Sequence, residues 1–123
     1  MTDERRRWPR FPSELLIYYR AVTDLESAVM PSSNQAKTRN VSRKGFGIRL
    51  DEYISAGTLI KTDLVLPQKS KIISAYCKVV WINKCSDEKH FEAGLEIVDI
   101  EDEDQRAFAD FLSKNFSPAE YGG

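Results

Sequence analysis

Arg5, Arg6, Arg7 and Arg10 crowd around Trp8-Pro9 and make a compact cationic stretch near the start of the chain. A planar guanidinium fork can hydrogen-bond the O6/N7 edge of guanine in bidentate fashion, stack on a base, or clamp a phosphate. The other stretch that could do chemistry is Asn40-Val41-Ser42-Arg43-Lys44-Gly45, running into Phe46-Gly47-Ile48-Arg49-Leu50. On an extended backbone Asn40 and Ser42 project from one face, because side chains alternate. Gly45 falls where a reversal needs positive φ, or where something approaches the backbone closely. Taken singly, the first stretch also fits a solvated charge run and the second an ordinary polar hairpin.

Arg6 and Arg10 have the form Arg-x-x-x-Arg, and Asn40 to Gly45 the form Asn-x-Ser-x-x-Gly, in that order. Together they resemble the two-part signature of the PilZ domain, a bacterial receptor module for the second messenger cyclic di-GMP. The resemblance runs from about Glu4 to Phe116. It implies that Arg6 and Arg10 grip cyclic di-GMP while Asn40, Ser42 and Gly45 receive a guanine on a barrel surface. The protein would then be a ligand-binding receptor with no enzymatic activity and no cofactor, signalling through an effector protein. In the resemblance, an arginine just before the first signature arginine accompanies binding of an intercalated ligand pair, and Arg5 holds that place. Arg5 and Arg7 add cations for the doubled charge, so two ligand molecules per chain are expected.

Composition bounds the alternatives. The chain has 123 residues, enough for one domain with a core of its own. Hydrophobic content of 41% and charged content of 30% belong to a globular rather than a disordered chain. The formal net charge is −1, so no global field recruits nucleic acid or anionic lipid, and a small anionic ligand suits the basic arm better. No apolar run approaches the roughly 20 residues that span a bilayer, and no apolar segment follows the N-terminal charges as in a signal peptide. A cytoplasmic location is expected, with Cys77 and Cys85 reduced.

The elements that must position these residues follow from periodicity. Residues 1–12 carry Pro9 and Pro12, which exclude a regular helix or central strand, and form an arm expected to be extended and mobile until ligand binds. Residues 13–116 hold six strands and a helix. Ser13 to Val22 is the first strand, with Leu15, Ile17 and Tyr19 on one face. Ala36 to Val41 is the second and Phe46 to Asp51 the third. Gly57 opens the fourth, in which Ile60, Thr62, Leu64 and Leu66 share a face before Pro67 stops it. Lys71 to Asn83 alternates Ile73, Ala75, Cys77, Val79 and Trp81 with Ile72, Ser74, Tyr76, Lys78, Val80 and Ile82. Phe91 to Val98 is the last, with Phe91, Ala93, Leu95 and Ile97 inward. The period then changes: Glu101 to Asp104 fill a helical first turn, and Phe108, Phe111, Leu112, Asn115 and Phe116 follow as a stripe. The expected fold is all-β dominated, a six-stranded antiparallel β-barrel with a C-terminal α-helix packed on it, followed by a frayed tail at 117–123.

Trp81 has two readings. Its alternation with Cys77 and Val79 makes it core, whereas its place at a strand end leaves an indole half exposed and able to stack on a base. In some PilZ relatives an aromatic near this place covers the guanine. Gly94, in the neighbouring strand, marks either a close approach or a bulge. Nucleophilic catalysis would rest on the single histidine, His90, in a polar loop. Cys77, Cys85, Asp87 and His90 match no common zinc spacing. The surviving alternative is a small barrel that binds protein or RNA constitutively, with its arginines as generic phosphate contacts.

Overall fold

The computed structural model describes residues 11–22, 34–67 and 71–115. Seven strands succeed one another: β1 (Phe11–Pro12), β2 (Leu16–Ala21), β3 (Asn34–Ser42), β4 (Gly45–Leu50), β5 (Leu59–Val65), β6 (Ile72–Lys84) and β7 (Phe91–Ile100). A helix, α1 (Asp102–Asn115), ends the described chain. The order across the sheet is β1-β3-β2-β5-β6-β7-β4, and pairing of β4 with β3 closes β2 to β7 into a six-stranded antiparallel barrel. Closure leaves those strands without free edges.

Alternation fills the interior as expected. Ile17, Val41, Ile48, Ile60, Leu64, Ile73, Cys77 and Val79 are at most 1% exposed, and Thr62 joins them by donating its hydroxyl to the Ala75 carbonyl at 3.1 Å. Helix α1 lies on this core through Phe108, Phe111 and Leu112. The Phe108 ring meets Phe46 edge-on at 5.6 Å and stacks with Phe111 at 6.5 Å. Asp104 in its acidic first turn accepts a hydrogen bond from Ser74 N at 3.1 Å and pairs with Lys71 at 3.3 Å, fixing that end of α1 to β6. Asn115, expected on the apolar stripe, is exposed, and its amide instead donates to the Phe111 carbonyl at 2.8 Å. Phe116 and the tail lie outside the described residues. Among the described residues no helix is long and apolar enough to cross a membrane.

One strand is additional to the six. Phe11 and Pro12, counted with the arm by sequence, pair with Val41 and Asn40 as β1, and Phe11 is buried in the core. Proline is tolerated because this two-residue strand ends the sheet order, where a missing donor leaves no partner unpaired. β1 and β2 both line the same side of β3, separated by Ser13 to Leu15. Thr38, only 1% exposed, mends that gap: its hydroxyl donates to the Ser13 carbonyl at 2.6 Å and accepts from Leu15 N at 2.8 Å. Buried polar groups need such partners. The chain from Phe11 to Leu15 is thereby held against β3.

Candidate functional site

Three breaks in pairing register shape the outer surface. They fall at Arg39 in β3, between Thr38 and Asn40; at Val80 in β6, between Val79 and Trp81; and at Val98 in β7, opposite the step from Tyr76 to Cys77. A bulge inserts one residue and so reverses which face the following side chains take. In β3, Ala36 and Thr38 point inward, and the extra residue sends Asn40 outward while Val41 stays buried. In β6, Ala75, Cys77 and Val79 point inward, and the bulge at Val80 turns Trp81 out of the barrel. Simple alternation had placed Trp81 with the inward residues and Ile82 with the outward ones. The structure exchanges them, and Ile82 packs against the core.

The two re-aimed side chains stand at the ends of one row. Asn40 pairs with Gly47, Gly47 with Gly94, and Gly94 with Trp81, so the row crosses β3, β4, β7 and β6. Both glycines are covered by these end residues. A Cβ on Gly47 would come within 2.8 Å of Asn40 Oδ1 and 2.9 Å of its Nδ2. A Cβ on Gly94 would overlap Trp81 Nε1 and lie 2.6 Å from Cε2. The amide therefore lies on Gly47 and the indole on Gly94, about one strand spacing (~5 Å) apart. Trp81 is not a core residue but half-buried, as its place at a strand end suggests, and forms a plate seated on backbone.

Ser42 and Gly45 build the adjoining turn. Ser42 faces outward with Asn40, as expected, and pairs with Gly45. Its hydroxyl accepts from Lys44 N at 3.2 Å and donates towards the Gly45 carbonyl at 3.4 Å, closing the turn at Arg43-Lys44. Gly45 does not take positive φ, which among the described glycines is found at Gly57 (φ 95°), in the turn before β5 rather than inside the strand. Gly45 is instead the close-approach case: any Cβ there would overlap the Leu95 carbonyl oxygen of β7. Arg5, Arg6, Arg7 and Arg10 lie outside the described residues. Thr38 and Gly47 were not singled out by sequence, since their roles depend on pairing register.

Part of the charge around the row is arranged in pairs. Arg39, the bulge residue, makes an ion pair with Glu92, which stands two residues before Gly94 on β7. Arg49 reaches Asp87 at 3.0 Å, and Asp87 in turn meets the His90 ring at 2.7 Å. The Lys89 backbone N–H, followed by the His90 ring, holds the Asp87 carboxyl well below the usual carboxylate range. Burial pushes the Cys77 thiol up to about 11, only partly countered by Thr62, so it stays protonated at neutral pH. Among the described residues no group of three or more His, Cys, Asp or Glu is placed to hold a metal. A cavity of about 270 Å³ opens beyond the turn, between Arg43-Lys44, the end of β7 and Gln105 to Ala109 of α1. It shares no lining residue with the Asn40–Trp81 row.

A family model for the PilZ domain matches residues 4–114. Among solved structures, Bacillus subtilis MotI/DgrA, an inhibitor of motility, superposes with a TM-score of 0.72 at 17% identity, over 91% of this chain and 51% of that one. The K. pneumonia MrkH–c-di-GMP complex gives 0.67 at 17% identity, over 98% of this chain and 55% of that one. The PilZ domain of Escherichia coli YcgR with c-di-GMP gives 0.65 at 12% identity, over 90% of this chain and 91% of that one. The chain thus spans about half the length of MotI and MrkH. No curated protein sequence matches it.

Proposed function

This chain belongs to the PilZ domain family, and we propose that it is a cyclic di-GMP receptor whose N-terminal arm closes over the ligand. The observation that carries the reading is the Asn40–Gly47–Gly94–Trp81 row. An indole seated over the Gly94 backbone and half exposed can stack on a purine, a contact worth about 1–3 kcal/mol per base. The Asn40 amide beside it supplies a donor and an acceptor, and among the described residues it has no other hydrogen-bond partner. Ser42 and Gly45 act through architecture, keeping β3 and β4 close under the ligand.

β1 pairs Phe11 with Val41 and Pro12 with Asn40, beside the row, and the arm precedes β1 in sequence. From that arm Arg6 and Arg10 would clamp guanine edges or phosphates, and Arg5 and Arg7 would offset the charge of a second ligand molecule. Closure of the arm changes the surface offered to an effector protein. A calorimetric titration tests the reading. Saturable binding of cyclic di-GMP at micromolar or better affinity, unmatched by GMP or a random oligonucleotide, is the expected result. Equal binding of the oligonucleotide would replace it with a generic phosphate-binding module.

A further inference from the structure

Three outward positions of β7 frame the Trp81 plate. Gly94 lies under the indole, Glu92 comes two residues before it and Glu96 two residues after, with Ala93 and Leu95 buried between. The two carboxylates are not equivalent. Glu92 is engaged by Arg39 across β4. Glu96 is exposed, its register partner on β4 is Gly45, which has no side chain, and among the described residues its carboxylate has neither an ion pair nor a hydrogen bond. Lys78 stands opposite it on β6 without closing a salt bridge.

A purine stacked on the outer face of Trp81 must send its edge beyond the indole, towards one of these flanks. Guanine carries two adjacent donors, N1–H and the 2-amino group, and a carboxylate accepts both at once. Adenine has no such pair there, and hypoxanthine keeps N1–H but lacks the amino group. An uncommitted carboxylate beside a phosphate-bearing ligand repels the phosphates, so it suits this place only if it meets base donors.

Resting on the cyclic di-GMP reading, we infer that Glu96 is the residue that selects guanine, accepting N1–H and the 2-amino group of the base stacked on Trp81. Glu96→Gln keeps the size and strand position of an exposed side chain, so folding is preserved. Its amide offers one acceptor where the carboxylate offers two.

The test is calorimetric titration of the full chain, Glu96→Gln and Glu96→Ala with cyclic di-GMP and with its inosine analogue. The unmutated protein is expected to prefer cyclic di-GMP over the inosine analogue by about 10-fold or more. Both variants are expected to bind cyclic di-GMP about 10- to 100-fold more weakly, while binding the inosine analogue less severely impaired. The preference for the amino group should therefore narrow towards unity, which loss of a merely structural residue would not cause. Variants that bind as tightly as the parent, or that keep its full preference, overturn the role of Glu96 alone. Failure of the unmutated protein to bind cyclic di-GMP overturns the receptor reading itself, and this inference with it.

Discussion

Replacing Gly94 by alanine places a methyl group where the indole of Trp81 now lies, overlapping Nε1 and 2.6 Å from Cε2. Ordinary carbon contacts begin near 3.5 Å, so the ring must lift by about 1 Å or swing off the strand. Overpacking of this kind costs about 1–3 kcal/mol, which for a domain of this size lowers Tm by roughly 4–12 °C. The plate is lost with it, and the expected weakening of cyclic di-GMP binding is up to the full worth of one base stack, about 1–3 kcal/mol. Trp81→Ala removes a half-buried rather than buried indole, so its loss of stability falls below the 3–5 kcal/mol typical of a core tryptophan.

The two changes are not additive, and this is the sharper test. With the indole gone, the three contacts that crowd the alanine methyl are gone, and alanine is a better strand residue than glycine by about 0.5–1 kcal/mol. Gly94→Ala should therefore destabilise the parent but leave the Trp81→Ala protein unharmed or slightly more stable. Urea denaturation of the four proteins gives the coupling, and Trp81 emission in a Trp8→Phe background reports the ring directly. Additive losses, or a Gly94→Ala protein with parental stability and emission, would refute the seated plate.

Gly45→Ala should cost about 3 kcal/mol or more, because the new Cβ meets the Leu95 carbonyl rather than a movable side chain; thermal unfolding checks it. Arg6→Ala and Arg10→Ala should each weaken cyclic di-GMP binding by about 1–3 kcal/mol with Tm unchanged, and unaltered calorimetric affinity in both would remove the arm from the site. Calorimetric stoichiometry should be two ligands per chain, falling towards one in Arg5→Ala; a value of one for the parent well above the dissociation constant refutes the pair. Burial raises Cys77 from its ordinary value near 9 to about 11, so the unfolded thiol ionises first. Its contribution, about 2–3 kcal/mol, is complete below pH 9 and lost as pH rises through 11. The Tyr19 phenol, raised by burial and by Glu52, adds the same sign at higher pH. Cys77→Ala should flatten the fall in stability between pH 9 and 11, as followed by urea midpoints.

Alternation makes most of the barrel legible in the sequence. Leu15, Ile17 and Tyr19 in the first strand, and Ile60, Thr62, Leu64 and Leu66 in the fourth, are buried as their period requires. The helix was equally plain in its acidic first turn and its Phe108, Phe111 and Leu112 stripe. What alternation cannot reveal is an extra residue. Val80 is an ordinary strand residue in sequence, and only the pairing of Val79 with Leu95 and Trp81 with Gly94 shows that it is looped out. Trp81 was therefore ambiguous, and Ile82 was placed on the wrong face. Gly47 escaped notice because its partners, Asn40 and Gly94, are 7 and 47 residues away along the chain. Phe11 looked like part of a charged arm because its burial depends on Val41, thirty residues on.

The residues of the Asn-x-Ser-x-x-Gly motif divide by physical role. Asn40 alone presents a functional group to the surface, and it does so because the bulge at Arg39 turns it out. Ser42 spends its hydroxyl on the turn, bonded to Lys44 N and the Gly45 carbonyl. Gly45 spends its missing side chain on the Leu95 backbone. Two of the three motif residues thus bring β3, β4 and β7 close enough for the third to lie one strand from the indole. Substitutions at Ser42 and Gly45 should therefore abolish binding through lost pairing, visible as lost stability without ligand. Substitution of Asn40 should weaken binding with the barrel intact. The motif's spacing is explained by the ladder, since Ser42 and Gly45 must be register partners across a two-residue turn for Asn40 to oppose Gly47.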